Sequence, residues 1–406
     1  MPQRVSWEAT TIRKGIPANM TSGESGPLEL TMISRRFPPQ IGGAEKVMRN
    51  FSDAFATMGH RVTVLTSADP AEGIRPTVDH SHATEAVNPA VVRLPYNGIR
   101  FVGTALYMRS LRRWLRRNPP QVVYVSMLKH DAYVATRWCK AAGVPIVLRP
   151  EGAGPTGDMA WQSRDRFGAK IREATQNADG FVALSERIRD DLIDSGYDSN
   201  RIHLIPNGVP IPEREWKPAG NEITPEVVFV GRLAFEKGID RLLAAWPLVL
   251  RDVPGARLNL IGEGVELASL KSQVSTLGIS GSVRFSGARQ DVQEILAHSG
   301  VFVLPSREEG LSIALLEAMA LGIPVVVSDI PGNATLVQPD ATGQIVDADS
   351  PRDLAGAIVA ALKQSPRILN LAQTGRSLVA DRFSIRSAAD RHIALFRDLI
   401  KRKPTI

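Results

Sequence analysis

Two glutamates separated by seven residues are the clearest chemical pattern in this sequence. Glu309 and Glu317 follow the apolar run Val301–Leu304. We expect a helix to open at Gly310, where unpaired backbone N–H groups suit a phosphate. If the whole span were helical, the two carboxylates would lie about 12 Å apart along the axis. One end could then hold a sugar and the other a ribose, with the helix start contributing Gly310, Leu311 and Ser312.

A purely structural interpretation of the same pattern is also open. A glutamate in the first turn of a helix is favoured by the helix dipole, and a mid-helix glutamate is commonly exposed. An isolated pair of this spacing would favour that interpretation. The neighbouring motifs therefore decide between the two.

Two cations leave the end of another predicted strand. Val227–Val230 is followed by Gly231 and Arg232, and Lys237 precedes a helical pattern that starts at Ile239. A diphosphate leaving group needs cations as its bond to a sugar breaks. A single arginine or lysine would not indicate a diphosphate site. Three glycine-containing segments accompany this pair, however: Gly42-Gly43-Ala44-Glu45, Pro206-Asn207-Gly208 and Ile261-Gly262-Glu263-Gly264.

A further carboxylate, Glu151, follows the predicted strand Pro145–Arg149. It lies in a turn with Gly152 and Gly154, which would let a ligand approach the backbone closely. We predict that Glu151 faces a cleft, where it accepts hydrogen bonds from sugar hydroxyls or stabilises positive charge developing at the anomeric carbon. The alternative is an ordinary loop glutamate.

The elements that must position these residues alternate between short apolar runs and helical patterns. This alternation predicts an α/β fold with parallel sheets covered by helices, and a crevice at the carboxyl ends of the strands. A last helix is predicted over Ile385–Lys401. The predicted strands are Leu28–Ile33, Arg61–Thr66, Val91–Leu94, Val122–Val125, Pro145–Arg149, Phe181–Leu184, His203–Ile205, Val227–Val230, Arg257–Ile261, Val283–Phe285, Val301–Leu304, Val325–Ser328 and Gly343–Val346.

Composition limits the class of protein. The 406 residues are 43% hydrophobic and 22% charged, which suits two folded domains. The single cysteine, Cys139, excludes an internal disulfide framework and fits a reducing compartment. No secretory signal is visible, and Gly322 and Pro324 interrupt the longest apolar stretch. We expect a cytoplasmic protein, either soluble or peripheral on the cytoplasmic membrane face.

The net charge of +7 is concentrated in a basic region, residues 86–130, which contains no Asp or Glu. Two interpretations are open for its helical pattern, in which Leu111, Trp114 and Leu115 share one face. That face could dock on the sheet, or the region could contact a membrane surface. Nucleic acid is the least favoured partner, because no aromatic side chains alternate with the arginines.

Together, these motifs resemble the large glycosyltransferase family 4, which contains sucrose and sucrose-phosphate synthases and mannosyltransferases of bacterial cell envelopes. The resemblance runs from about Leu28 to the C-terminus. It implies the GT-B architecture, with two doubly wound Rossmann-like domains facing a cleft and a C-terminal helix that crosses back to the first domain. It also implies transfer of a sugar from a nucleotide-diphosphate donor to a saccharide or lipid-linked acceptor with retention, in polysaccharide or glycolipid synthesis.

The resemblance also assigns roles to individual residues. Arg232 and Lys237 match the residues that contact the donor diphosphate, Glu309 matches the contact to donor-sugar hydroxyls, and Glu317 matches the ribose contact. Gly43, with Gly42 beside it, matches the first-domain loop near the donor phosphates and sugar. Base contacts would fall near Gly287 to Arg289.

The sequence departs from the family pattern at two places. Glu151-Gly152 stands where the family usually has His-Gly, and Pro210 stands where it usually has Asp. The first departure concerns how the donor sugar is held, and the second concerns a hinge.

The predicted division of the chain has five parts. They are a flexible extension 1–26, an acceptor-side domain 27–207, a linker 208–220, a donor-binding domain 221–384 and a C-terminal helix 385–406 that packs on the first domain.

Two patterns typical of metal sites are interpreted otherwise, and we predict neither a metal nor a cofactor. Asp347 and Asp349 precede Ser350-Pro351, a helix cap and first-turn proline, so we interpret them as loop and cap. His80 and His82 lie in a polar loop without further ligands.

Two alternative functions remain open at this point. One is a nucleotide-sugar epimerase of the same fold, which would release no free nucleotide diphosphate as a stoichiometric product. The other is a nucleotide-sugar binding protein without turnover, suggested by Glu151 at the family's histidine position.

Overall fold

The computed structural model describes residues 26–40, 42–68, 74–76, 88–97, 100–213, 215–217 and 225–403. The predicted N-terminal extension falls outside these ranges except for Gly26. His80 and His82 lie outside them too, as does the end of the predicted linker, residues 218–220.

The thirteen strands in the described ranges form two parallel sheets, of seven and six strands. The strand order is β3-β2-β1-β4-β5-β6-β7 in the first sheet and β10-β9-β8-β11-β12-β13 in the second. All thirteen predicted strands are present, and their ends differ from the prediction by at most one or two residues. They are β1 (Glu29–Ile33), β2 (Arg61–Ser67), β3 (Ala90–Leu94), β4 (Val122–Ser126), β5 (Ile146–Arg149), β6 (Gly180–Ala183), β7 (Ile202–Leu204), β8 (Glu226–Val230), β9 (Arg257–Ile261), β10 (Val283–Gly287), β11 (Val301–Leu304), β12 (Val325–Ser328) and β13 (Gln344–Val346).

Helices connect the consecutive strands of each sheet, as expected for parallel pairing, except between β2 and β3, where no described residue is helical. Their bounds are α1 (Gly43–Thr57), α2 (Arg100–Arg117), α3 (His130–Ala142), α4 (Asp158–Arg164), α5 (Gly168–Thr175), α6 (Glu186–Asp194), α7 (Ile239–Asp252), α8 (Leu267–Thr276), α9 (Val292–Ala297), α10 (Ile313–Leu321), α11 (Pro331–Ala334), α12 (Pro351–Leu362), α13 (Pro366–Arg382) and α14 (Ile385–Arg402).

Central strands are buried along their whole length, because helices cover both faces of each sheet. Every residue of β4, β5, β11 and β12 is buried, which explains why these strands are continuous apolar runs rather than alternating patterns. In each sheet the strand order reverses between two neighbours, β1 and β4 in the first and β8 and β11 in the second. Ligands of doubly wound sheets bind at such points, outside the carboxyl ends of the strands.

The last helix, α14, belongs to the core of the first sheet although it follows the second sheet in the chain. Ala389, Ile393, Phe396 and Leu399 pack in the same apolar cluster as Phe51. The predicted crossing of the C-terminal helix to the first domain is therefore confirmed.

The two places where the chain passes between the sheets lie side by side. The N–H of Val209 donates to the carbonyl of Phe383 at 2.9 Å, and the N–H of Ile385 donates to the carbonyl of Val209 at 2.8 Å. The outgoing and returning chains are thus joined at a single place.

Helix α2 shows where the apolar face of the basic region packs. Leu111 and Leu115 are fully buried and Trp114 is 7% exposed, so this face docks in the first core as the packing interpretation predicted. The opposite side is exposed and carries five arginines: Arg109, Arg112, Arg113, Arg116 and Arg117. Among the described residues, no helix has the length and apolar character needed to cross a membrane.

Candidate functional site

Two residues singled out from the sequence, Lys237 and Glu309, touch each other at the carboxyl edge of the second sheet. The ammonium Nζ of Lys237 lies 2.7 Å from Oε1 of Glu309, and the Ser306 hydroxyl donates to the same oxygen at 2.7 Å. Both charged side chains are largely buried, with 17% and 6% of their surface exposed. The loops after β8 and β11 therefore meet through a sheltered ion pair.

Close backbone contacts hold these loops in place. Gly238 has φ of +64°, and a Cβ there would lie 2.1 Å from the carbonyl oxygen of Pro305. Gly262, at φ of +137°, would place a Cβ 1.9 Å from the carbonyl oxygen of Gly231. Only glycine fits these positions, so the glycines near Arg232 and Lys237 fix how closely the loops after β8, β9 and β11 pack.

A second ion pair, which the sequence reasoning missed, supports the first. The Arg307 guanidinium donates to both carboxylate oxygens of Asp240 at 2.7 and 2.6 Å, and stacks 4.1 Å from the centre of the Phe235 ring. The hydrogen bond from Arg307 is the main cause that lowers the pKa of Asp240. Arg307 thereby ties the loop that carries Glu309 to the first turn of α7. The sequence offered one indication of this pair, because Arg307 stands only two residues before Glu309.

The helix after β11 begins later than predicted. We expected it to open at Gly310, but α10 starts at Ile313, with Ser312 as its N-cap accepting from the N–H of Leu315 at 3.3 Å. Upstream, the N–H groups of Arg307 and Glu308 both donate to the carbonyl of Glu236 instead of entering a helix. Gly310 and Leu311 therefore lie in a loop, and the axial distance estimated for a fully helical span does not apply.

Two other predicted cations are engaged with nearby acids rather than with this pair. Arg232 donates to Glu236 at 2.8 Å and is 73% exposed. Arg289, just beyond Gly287 at the end of β10, makes two hydrogen bonds to Asp291 at 2.8 and 2.5 Å. The structure therefore does not bring Arg232 or Arg289 into contact with Lys237 and Glu309.

Glu317 is buried and faces the first sheet. Its side chain is 3% exposed, so the interpretation of an exposed mid-helix glutamate is wrong. Its Oε1 lies 2.5 Å from Nζ of Lys46, which is in the first turn of α1, three residues after Gly43. The segment from Glu309 to Glu317 thus contacts α1 of the first sheet through Glu317. Just before the segment, Glu308 lies 3.6 Å from Arg187 of α6.

Glu151 belongs to a buried polar network at the carboxyl end of β5. It forms an ion pair with the fully buried Arg149, and it accepts from the Ser126 hydroxyl at 2.6 Å. Its backbone N–H donates to Asp158 at 2.8 Å, and Arg149 also donates to Asn207, in the segment between β7 and β8. Burial is the main cause that raises the pKa of Asp158. Only 13% of the Glu151 side chain is exposed, which is unlike a freely solvated loop glutamate.

The pattern Asp347-Ala348-Asp349 forms a loop and helix cap, as predicted. The N–H of Asp349 donates to the Asp347 carboxylate at 2.9 Å, and Ser350 accepts from the N–H of Asp353 as the N-cap of α12. Asp349 also pairs with Arg241 at 2.5 Å. Within the ranges given above, no group of three or more His, Cys, Asp or Glu side chains is arranged to hold a metal ion.

Two family models match consecutive parts of the chain. Residues 41–212 match the family described as Glycosyltransferase Family 4, and residues 211–378 match the one described as Glycosyl transferases group 1. The two matches meet at residues 211 and 212, shortly after Val209, where the chain passes from the first sheet to the second.

Individual relatives agree with both matches. A glycogen synthase of Mycobacterium tuberculosis is 27% identical over 359 residues, covering 82% of this chain and 85% of the relative. A GDP-mannose-dependent α-(1-6)-phosphatidylinositol monomannoside mannosyltransferase of the same organism is 27% identical over 367 residues, covering 86% and 92%. The crystal structure of HepE from Anabaena in complex with UDP-glucose is 17% identical, with a TM-score of 0.72 and coverage of 91% and 100%. At this identity the last likeness establishes the fold, which is GT-B.

Proposed function

This chain belongs to the glycosyltransferases of family 4 and group 1, and we propose that it moves a sugar from a nucleotide-diphosphate donor to a saccharide or lipid-linked acceptor with retention. The contact between Lys237 and Glu309 at the β8–β11 switch point is the observation that carries the proposal. A cation and an acceptor-only anion lie side by side there, as a diphosphate joined to a sugar requires.

We assign the donor's charged centre to the loops after β8 and β11. A lysine ammonium has three donors, and Glu309 takes one of those of Lys237, which leaves the others for phosphate oxygens. Arg232 joins it after leaving Glu236. Gly310, Leu311 and Ser312 offer backbone groups, and Gly310 supports this because a side chain there would meet no atom within 4 Å.

The rest of the donor extends from this centre in two directions. Glu309 accepts from the sugar hydroxyls, and Glu317 accepts from the ribose hydroxyls farther along α10. The base lies near Gly287 and Arg289. From the first sheet, Gly42 and Gly43 approach the phosphates and sugar. A side chain at Gly43 would meet no atom within 4 Å, whereas the Glu45 carboxylate lies against Gly42.

The reaction we propose uses neither a metal nor a cofactor. Preorganised cations stabilise a leaving diphosphate in a sheltered site without the reorganisation that water would need. Glu151, fixed by Arg149 and Ser126, is proposed to support the positive charge that develops at the anomeric carbon.

The acceptor site is proposed on the first domain, with the enzyme in the cytoplasm and peripheral on the membrane. The mannosyltransferase relative is named for a phosphatidylinositol-linked acceptor, and the exposed arginines of α2 suit an anionic lipid surface. We therefore favour cell-surface polysaccharide or glycolipid synthesis as the process served.

A two-stage experiment tests the proposal. UDP, GDP, ADP and their common sugars are screened for thermal stabilisation, because a ligand at a hundred times its Kd stabilises the native state by about 2.7 kcal/mol. The donor that binds is then incubated with candidate acceptors, and released nucleoside diphosphate is measured. Acceptor-dependent release supports transfer. Conversion of the donor sugar without release would indicate an epimerase, and binding without any turnover would indicate a binding protein.

A further inference from the structure

Glu317 is a carboxylate in an apolar helix. Its neighbours Leu315, Leu316, Ala318 and Met319 are all buried in the core of the second sheet. A carboxylate is rarely buried unless it is paired or bound to a ligand, because desolvating an unpaired anion is very costly. The position of Glu317 therefore needs a partner.

The cationic partner comes from the opposite side of the cleft. Lys46 is the fourth residue of α1, and its Nζ lies 2.5 Å from Oε1 of Glu317. Lys46 remains 36% exposed, so its ammonium stands at the mouth of the cleft while the carboxylate is enclosed. The contact links α1 and α10, which are far apart in the chain and pack on different sheets.

The carboxylate of Glu317 also keeps acceptor capacity that no described residue uses. An ionised carboxylate offers about four lone-pair positions. Oε1 accepts no hydrogen bond of normal geometry among the described residues, and the contact with Lys46 is one of charge. A buried acceptor with unused lone pairs suits a ligand that brings hydroxyl donors.

We propose that Lys46 is a positioning residue for the donor nucleotide: its ammonium holds Glu317 as an oriented anion whose unused lone pairs accept the ribose hydroxyls. This inference rests on the proposed function. It implies that the nucleotide, although bound by the second domain, depends on a residue of the first domain. Preference for a ribose with its 2′- and 3′-hydroxyls then depends on the two domains being together.

The second contact across the cleft is much weaker. Arg187 and Glu308 are 3.6 Å apart, and both side chains are more than half exposed. Exposed pairs of this kind contribute little. The pair of Lys46 and Glu317 differs because the Glu317 carboxylate is almost fully enclosed. Loss of the Lys46 ammonium would therefore leave a buried carboxylate without its cation.

The test compares nucleotides with and without ribose hydroxyls. Affinities for UDP and GDP, and for their 2′,3′-dideoxy forms, are measured by titration calorimetry on the full chain. Lys46→Met is expected to weaken binding of the ribose form about tenfold, while binding of the dideoxy form changes less than about twofold. Lys46→Arg should restore most of the discrimination. The matched control is Arg49→Met, one turn along α1, where an exposed arginine pairs with Asp53.

The dideoxy ligand also reports whether each variant is folded. If Lys46→Met discriminates between the two forms as the parent does, or binds the ribose form more tightly, the positioning role is wrong. Glu317→Gln separates this failure from a wider one. If that variant loses the discrimination and Lys46→Met keeps it, only the role of Lys46 fails. If the parent binds no nucleoside diphosphate, the proposed function and this inference fail together.

Discussion

A lysine ammonium that donates one hydrogen bond to a carboxylate can also donate to a phosphate, and Lys237 is placed to do so. Its ammonium contacts Glu309 within a largely buried pair, while Arg232 beside it is exposed and held by Glu236. We expect Lys237→Ala and Arg232→Ala each to lower turnover by roughly 10² to 10³, because each removes a cation from the leaving diphosphate. Steady-state rates of nucleoside diphosphate release measure this.

Two controls accompany this prediction. Arg251→Ala removes an exposed arginine of α7 that pairs with Asp252, and it should leave turnover unchanged. EDTA should also leave turnover unchanged. A reversible loss of activity in EDTA would contradict the metal-free mechanism and return attention to Asp347 and Asp349.

Glu151 gives a second prediction at the residue scale. Glu151→Gln should reduce turnover of the true donor at least about tenfold, or about 1.4 kcal/mol of barrier, because a neutral amide supports positive charge less well. Affinity for the nucleoside diphosphate should stay nearly unchanged. Turnover within about twofold of the parent would show that Glu151 is an ordinary loop residue.

The variant also alters a buried ion pair, so its folding needs a control. Arg149 is fully buried, and loss of the Glu151 charge leaves it without its carboxylate. Ser126→Ala provides the comparison, since it removes one hydrogen bond to Glu151 but keeps the ion pair. A turnover loss in both variants, with nucleotide affinity retained, would identify the carboxylate's placement as the cause.

The sequence predicted which residues end neighbouring strands better than it predicted their partners. Lys237 and Glu309 each follow a predicted strand of the second half of the chain, and the carboxyl ends of strands in one parallel sheet lie at the same edge. The contact of Lys46 with Glu317 joins helices that pack on different sheets, and that of Arg149 with Asn207 joins β5 to the segment after β7. Neither contact could be predicted from sequence spacing, because the partners are far apart in the chain and only tertiary packing brings them together.

At the scale of elements, buried strands were easier to predict than helix starts. A strand covered on both faces is a continuous apolar run, and the ends of β9, β11 and β12 match the prediction. The start of α10 was wrong because Gly310 was interpreted as the first helical residue. Ser312, two residues after Gly310, is a better N-cap, and its hydroxyl accepts from the N–H of Leu315.

Helix α14 carries a buried histidine that should make the stability of the fold depend on pH. Burial lowers the pKa of His392 to about 3, and the charges of Arg149 and Arg391 act in the same direction, against the hydrogen bond to Ala388. Its Nδ1–H donates to the Ala388 carbonyl at 2.8 Å, so Nε2 accepts from the Tyr124 hydroxyl at 3.0 Å. The folded protein therefore keeps this histidine neutral.

The sign of the effect follows from proton binding. Below its ordinary pKa of 6.5, His392 binds a proton in the unfolded chain but not in the folded one, down to about pH 3. Stability is thus lost as pH falls, by about 2 kcal/mol from this group at pH 5. In urea unfolding, His392→Gln should lose about that much less than the parent between pH 7 and pH 5, whereas His298→Gln, at an exposed position, should follow the parent. Equal losses in His392→Gln and the parent would show that His392 does not cause the effect.

At the scale of the whole molecule, the uneven distribution of positive charge predicts that the protein binds an anionic membrane surface. Arg112, Arg113, Arg116 and Arg117 are exposed on α2, and each basic residue near an anionic membrane contributes about 1 kcal/mol. The protein should therefore co-sediment with phosphatidylglycerol vesicles and detach as salt is raised. Replacing these four arginines by Gln should abolish co-sedimentation.

A control with the same change in net charge lies outside α2. Replacing Arg251, Arg284, Arg386 and Arg402 by Gln removes four exposed arginines that pair with nearby acids, and co-sedimentation should persist. If the fourfold α2 variant sediments as the parent does, α2 is not the membrane contact.

The return of α14 to the first core has a consequence for anyone who builds hybrids of this enzyme. We propose that the first domain consists of residues 27–207 together with this helix, so its gene segment is not continuous. A hybrid joined once near Val209 would pair the first domain of one parent with the α14 of the other. Phe55 would then face another protein's residue in place of Phe396, whose ring centre lies 5.9 Å from its own. Exchange of donor specificity between relatives should therefore need two junctions, at Val209 and Ser384, where the chain already lies against itself.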